Sequence, residues 1–244
     1  MMLRSLFATA LTATAALMSM SALAEDIDVQ TAKQFWGVQF EELEYRYSDN
    51  DEDLGSWDGD TFYGTDELKV RWLTKGEYDI DEQAYEQLEN QLVLQTPIST
   101  FFDAKAGVRF DTPEGPDRTY AVLGVAGLAP YWFEIDVSLY VGDDGKTSSE
   151  IDAEYELLFT NRLILTLGLD TTISFSEDKE IGIGRGLAST ELGARLSYDV
   201  VDRAFSPYIG IVNERKYGDT EDMAKASGDS TDDWYAVIGA KVMF

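Results

Sequence analysis

The clearest pattern in the chain lies within residues 127–140, GLAPYWFEIDVSLY. Beyond Pro130, the side chains of Phe133, Ile135, Val137 and Leu139 share one parity, and those of Glu134, Asp136, Ser138 and Tyr140 the other. Period-two alternation predicts a strand with one apolar and one polar face. The same pattern recurs along most of the chain. Val70 and Trp72 oppose Lys69 and Arg71; Leu88, Leu92 and Leu94 oppose Gln87, Glu89 and Gln91; Val108 and Phe110 oppose Arg109 and Asp111. Further on, Ile151, Ala153 and Tyr155 oppose Glu150, Asp152 and Glu154, and a leucine row, Leu163, Leu165, Leu167 and Leu169, opposes Thr166 and Asp170.

Within residues 35–47 the apolar phase changes once, from Trp36, Val38 and Phe40 to Leu43, Tyr45 and Tyr47, which predicts a β-bulge. Residues 54–62 carry a weak strand signal, and 118–129 are too rich in Gly and Ala to assign a face. Turns are predicted at 49–53, 64–66, 113–117 and 142–145, and polar loops at 177–186 and 218–233.

An alternating strand buries its apolar face either in a soluble sandwich or against lipid. The two chain ends favour lipid. Arg4, an apolar stretch over 6–18 and Ala22-Leu23-Ala24 predict a Sec-type signal peptide over 1–24. A polar periplasmic tail over 25–34 follows, then a barrel over 35–244. No later run approaches the roughly 20 apolar residues of a membrane helix. At the other end Trp234, Ala236, Ile238, Ala240, Val242 and Phe244 share one parity, and this terminal aromatic row resembles the C-terminal signature of outer-membrane barrels. The expected fold is therefore all-β, an antiparallel transmembrane β-barrel of the bacterial outer membrane. Counting back from Phe244 at the periplasmic end places the loops at 177–186 and 218–233 outside. Closure with both termini inside requires an even strand number, about twelve when 35–75 is split at both of its turns.

The formal charge of −27 becomes −28 once residues 1–24 are removed, since Arg4 is their single charge. Nucleic acid is thereby excluded as a partner. The chain has no His and no Cys, so disulfides, thiolate or imidazole ligands and a His general base are all absent. No enzyme is expected, because the barrel lipases, acyltransferases and proteases resemble one another in using a catalytic His.

The predicted phases send Glu42, Glu44 and Arg46, then Glu67, Lys69 and Arg71, then Asp103, Lys105 and Arg109 into the lumen, followed by Arg162, Asp170, Glu191 and Arg195. Both signs interleave there, as cross-strand ion pairing requires. One sector lacks an interleaved base: Glu134 and Asp136 on one strand, with Asp152, Glu154 and Glu156 on the next. Carboxylates so placed recruit a cation or a neighbouring base such as Arg118 or Arg162. These five are the candidate metal-binding residues, as a cation path or a weak oxygen-ligand site.

Several ordered blocks carry a resemblance to a known family. They include Gly64-Thr65-Asp66, Gly107-Val108-Arg109-Phe110-Asp111, the run Gly127 to Glu134, and Glu154-Tyr155-Glu156-Leu157-Leu158. Thr160-Asn161-Arg162-Leu163, Glu191-Leu192-Gly193 and Ser206-Pro207-Tyr208-Ile209-Gly210 complete them. In this order they resemble the copper resistance protein B family of outer-membrane proteins. The resemblance implies a barrel that handles excess copper together with a periplasmic multicopper oxidase. Members often carry a Met- and His-rich segment ahead of the barrel; here residues 25–34 contain neither residue, and beyond residue 24 only Met223 and Met243 occur. The expected ligand is copper, transported or weakly bound, with no tightly bound cofactor. A generic cation-selective porin is the rival expectation.

Overall fold

The computed structural model describes residues 33–48, 53–80, 83–113 and 116–244; the predicted signal peptide and nearly all of the polar tail lie outside the described residues. Twelve antiparallel strands close into one barrel. The first half comprises β1 (Phe35–Ser48), β2 (Leu54–Gly64), β3 (Lys69–Asp79), β4 (Ala84–Pro97), β5 (Phe102–Pro113) and β6 (Arg118–Ala129). The second comprises β7 (Phe133–Gly142), β8 (Thr147–Leu158), β9 (Leu163–Ser174), β10 (Gly186–Tyr198), β11 (Phe205–Lys216) and β12 (Asp232–Met243). Each strand pairs with its sequence neighbours and β12 pairs with β1, so no sheet edge is left to pair with another chain.

The barrel is apolar outside and charged inside. Trp72 and Ile209 expose 52% and 62% of their surface, whereas Arg46 exposes 0% and Arg109 5%. In β9 Leu167 and Leu169 of the leucine row face outward, while Ile164 and Thr166, of the opposite parity, are buried. Water would penalise such an exterior, and hydrocarbon satisfies it, with every strand's backbone paired within the barrel.

The predicted bulge is present: the register of β1 shifts after Phe40 against both of its neighbours, bringing both apolar runs to the outer face. The weak stretch after residue 53 is a full strand, paired along its length with β1 and β3. Strand β6 resolves its own face, with Val122 inside and Leu123 and Val125 outside.

The structure corrects two expectations. Glu67 and Arg162 lie on exposed turns rather than in the lumen, because β3 begins only at Lys69 and β9 at Leu163. The predicted loop over 218–233 contains a helix, α1 (Gly218–Ser227). Asp219 and Glu221 in its first turn and Lys225 in its last complement the helix dipole, and Gly228 closes it at φ 97°. The Thr220 hydroxyl accepts a 2.9 Å hydrogen bond from the Gly184 N–H, tying α1 to the loop between β9 and β10. A Cβ at residue 184 would sit 2.4 Å from that of Asp219, so the approach requires glycine.

Candidate functional site: the lumenal carboxylates

All five candidate carboxylates belong to β7 and β8, and the register sets Glu134 opposite Glu154 and Asp136 opposite Asp152. The row does not stop there. Asp152 pairs with Asp170 on β9, Asp170 with Glu191 on β10, Glu191 with Glu214 on β11, and Glu214 with Asp233 on β12. Six consecutive strands thus carry an acid at directly paired positions. Because barrel strands tilt against the axis, a rung drawn across them climbs as it goes round. This one starts at Asp136, near the end of β7 expected to face the periplasm, and finishes at Asp233, at the opposite, outer end of β12. It forms a ramp of carboxylates around half of the wall.

The sector is less bare than its alternation predicts. Lys105 of β5 reaches Asp136 at 2.6 Å, Lys241 of β12 reaches Glu154 at 3.3 Å, and Arg203, in the turn after β10, reaches Glu156 at 3.1 Å. These bases come from strands two to four places away, brought together by the curvature of the closed wall. Arg162 is exposed on its turn, and Arg118 is committed to the outer mouth. Asp152 makes no ion pair among the described residues.

The opposite wall is organised around guanidinium groups. Arg46 of β1 contacts Glu44 at 3.0 Å, Glu77 at 2.9 Å, Glu191 at 3.2 Å and Glu214 at 2.6 Å. Carboxylate oxygens of Glu77, Glu191 and Glu214 lie within 4.8 Å of one another, the spacing of a cation site, and the Arg46 guanidinium serves as their cation. Arg195 binds Glu44 and reaches Glu42 at 2.9 Å. Across the lumen Arg109 binds Glu89, Asp111 and Glu150, the last two at 2.6 Å, with its guanidinium 4.5 Å from the Tyr140 ring centre. Sequence reasoning placed these arginines correctly but missed Glu77 and Glu214, which lie in strands whose alternation is obscured by neighbouring Gly and Asn.

One further pair crosses the bore. Lys75 of β3 meets Asp170 of β9 at 3.3 Å. At the outer mouth, Arg118 holds Asp178 at 3.0 Å and Glu180 at 2.7 Å, and Lys146 holds Asp178 at 2.9 Å and Asp144 at 2.8 Å. Burial alone would push the Asp178 carboxyl up, but the bonds from Arg118 and Lys146 outweigh it and hold the group below the ordinary carboxylate range. Hydrogen bonds from the Lys146 side chain and backbone likewise hold Asp144 low. At the periplasmic mouth a cleft of about 380 Å³ is lined by Glu134, Glu154 and Glu156 together with Leu128, Trp132 and Tyr155.

The donors that face this lumen are carboxylate oxygens, which suit hard or borderline cations at modest affinity. The sequence model of the family described as "Copper resistance protein B precursor (CopB)" matches residues 34–244. The chain belongs to this family. A copper resistance protein B of Escherichia coli is 37% identical over 207 residues, 85% of this chain and 69% of its own length. A copper resistance protein B homolog of Pseudomonas syringae pv. tomato is 31% identical over 195 residues, 80% of this chain and 65% of its own length. The chain therefore spans about two thirds of these copper resistance B relatives. Among solved structures a NanC porin covers 85% of this chain and 99% of its own, with a TM-score of 0.53 and 11% identity, a likeness of fold alone.

Proposed function

We propose that the protein is exported by its signal peptide to the outer membrane and serves copper resistance there by letting copper ions pass along, or rest on, the carboxylate ramp. The observation that carries this reading is the row Asp136, Asp152 and Asp170 on β7 to β9, flanked by Glu154; the same row continues through Glu191 and Glu214, which Arg46 holds, to Asp233 near the outer mouth. Oxygen donors favour Cu(II) over the softer Cu(I), and sites that bind weakly and in series release what they accept. No tightly bound cofactor is invoked, and the lumen is read as a conduit rather than an active site. Outer-membrane lipid surrounds the apolar exterior, and copper at the inner mouth is handled with a periplasmic multicopper oxidase.

A second reading, a general cation-selective porin, is favoured by one observation: the ramp offers no imidazole, thiolate or thioether to prefer copper over other cations. The two separate in planar bilayers. Cu(II) added to KCl is expected to block the potassium current of the refolded barrel, and Asp136→Asn, Asp152→Asn and Glu154→Gln to raise the half-blocking concentration by about tenfold together, equivalent to about 1.4 kcal/mol. Block that is identical in the variants reduces these acids to scaffold. A deletion strain with unchanged copper tolerance favours the porin.

A further inference from the structure

We infer that Lys75 and Asp170 form a movable bar across the bore that sets how readily cations pass. The inference rests on the conduit reading above for its purpose, but not for its geometry. In the closed strand order β3 and β9 are six strands apart in either direction, so the two residues stand on opposite walls. Twelve strands spaced at roughly 4.8 Å and tilted by about 40° would form a circular ring about 24 Å across at the backbone. A lysine stem of four methylenes and an aspartate, meeting at 3.3 Å, span little more than about half of that. The barrel is therefore pinched along the line from β3 to β9. The bar divides the remaining cross-section in two, with the Arg46 and Arg195 cluster on one side and the Arg109 cluster on the other.

Compared with those clusters the bar is loosely held. Arg46 is fully enclosed and contacts carboxylates on three other strands, β3, β10 and β11, as well as its own. Lys75 makes one ion pair among the described residues, and its side chain and that of Asp170 are 34% and 37% exposed. The lysine also has somewhere to go. Its paired positions on the adjacent strands are Asp58 of β2 and Glu89 of β4, so a swing of the stem exchanges a carboxylate on the far wall for one on its own. An ammonium in the forward position occupies Asp170, the third step of the ramp, and repels an arriving cation. Folded back, it frees that step and widens the bore. A cation that competes for Asp170 thus favours the open position, and a bar that closes again behind it limits leakage.

The test uses the full-length refolded barrel in KCl without copper, so that it does not depend on the copper reading. Lys75→Met keeps the length of the stem and removes its charge; Asp170→Asn removes the far partner. Lys75→Met is expected to raise the potassium conductance by about threefold or more, since a like charge in a narrow passage is a barrier to cations; Asp170→Asn takes away the far partner, so the ammonium folds back onto Asp58 or Glu89 and conductance is expected to rise as well. The exchange Lys75→Asp with Asp170→Lys is expected to return it to the wild-type value. Circular dichroism and the heat-dependent gel migration of each variant establish folding, and if Lys75→Met fails to fold, Asp170→Asn and the exchange decide. Wild-type conductance in a folded single variant overturns the bar. So does an exchange that stays as conductive as the single variants. Loss of copper block with the conductance pattern intact sinks the copper reading and leaves the bar standing.

Discussion

Two walls of one lumen use the same acids in opposite ways. Around β10, β11, β1 and β3, Glu44, Glu77, Glu191 and Glu214 close on Arg46, a rigid planar cation with several donors, and exclude water from it. Around β7 and β8, Asp136 and Glu154 meet single lysine ammonium groups, Glu156 meets a half-exposed arginine, and Asp152 meets no base among the described residues. The first wall has its cation built in, and the second leaves acids for a cation from outside. What separates a structural carboxylate from a functional one here is the geometry and number of its partner's donors, since the acids themselves are alike.

The sharpest way to break this contrast is Arg46→Met. It strands Glu77 and Glu214 and leaves Glu44 and Glu191 to Arg195 alone, and losing one partner of a buried ion cluster costs about 3–5 kcal/mol. Urea unfolding in detergent micelles is expected to show at least that loss, or failure to refold. Lys241→Met on the other wall, which removes one cation from a wetter pair, is expected to cost about 1 kcal/mol. Equal losses from the two substitutions would erase the distinction between the walls.

A smaller effect concerns the roof of the open wall. Arg118 at the start of β6 and Lys146 in the turn before β8 both hold Asp178, in the loop after β9, over the outer ends of β6 to β8. Because the folded state holds the Asp178 carboxyl below its unfolded value, the latch contributes fully above the ordinary carboxylate pKa of about 4 and is lost as pH falls through the lower folded value. Amide protection in residues 175–185, corrected for the intrinsic slowing of exchange in acid, is expected to be high at neutral pH and to fall in acid well before that of the strands. Asp178→Asn should make that loop exchange fast at every pH. A loop whose protection shows no acid limb would mean that α1 and Gly184 hold it without the charges.

Much of this was legible in the alternation. The outward rows and the bulge after Phe40 follow from which parity is apolar, a property each strand carries alone, whereas the twelve-strand count needed the further condition of closure, since residues 54–62 signal a strand only weakly. The helix over Gly218–Ser227 escaped notice because its apolar face is short, although its acidic first turn, basic last turn and closing glycine were all present in the sequence. Glu67 and Arg162 were sent inward by extending the alternation one or two residues into turns. The larger gap is in partnership. Lys105, Lys241, Arg203 and Lys75 reach acids two to six strands away, and such pairs depend on closure, tilt and the pinch of the wall, none of which is encoded in a single strand. The ramp itself lies between these cases: Asp170 and Glu191 were placed in the lumen, but their alignment with Asp136 emerges only from the register of three successive hairpins.

The smallest effect tests the same contrast through the backbone. Asp202 and Arg203 occupy the turn between β10 and β11 with φ of 41° and 63°, and the Ala204 N–H donates to the Val201 carbonyl at 2.6 Å. A tight hairpin turn with two positive φ values favours Asn-Gly, and a side chain at the second position costs about 1 kcal/mol. The strain is tolerated where Arg203 reaches Glu156, at 3.1 Å, from an exposed position. Because an ion pair so open to water contributes little, Arg203→Gly is expected to raise stability slightly, by about 0.5–1 kcal/mol, measured as a higher urea midpoint. At the same time it frees Glu156, and Cu(II) block of the potassium current should strengthen. A variant that is more stable and more easily blocked would place this arginine with the adjustable cations of the open wall. One that is destabilised would place it with Arg46, as part of the frame.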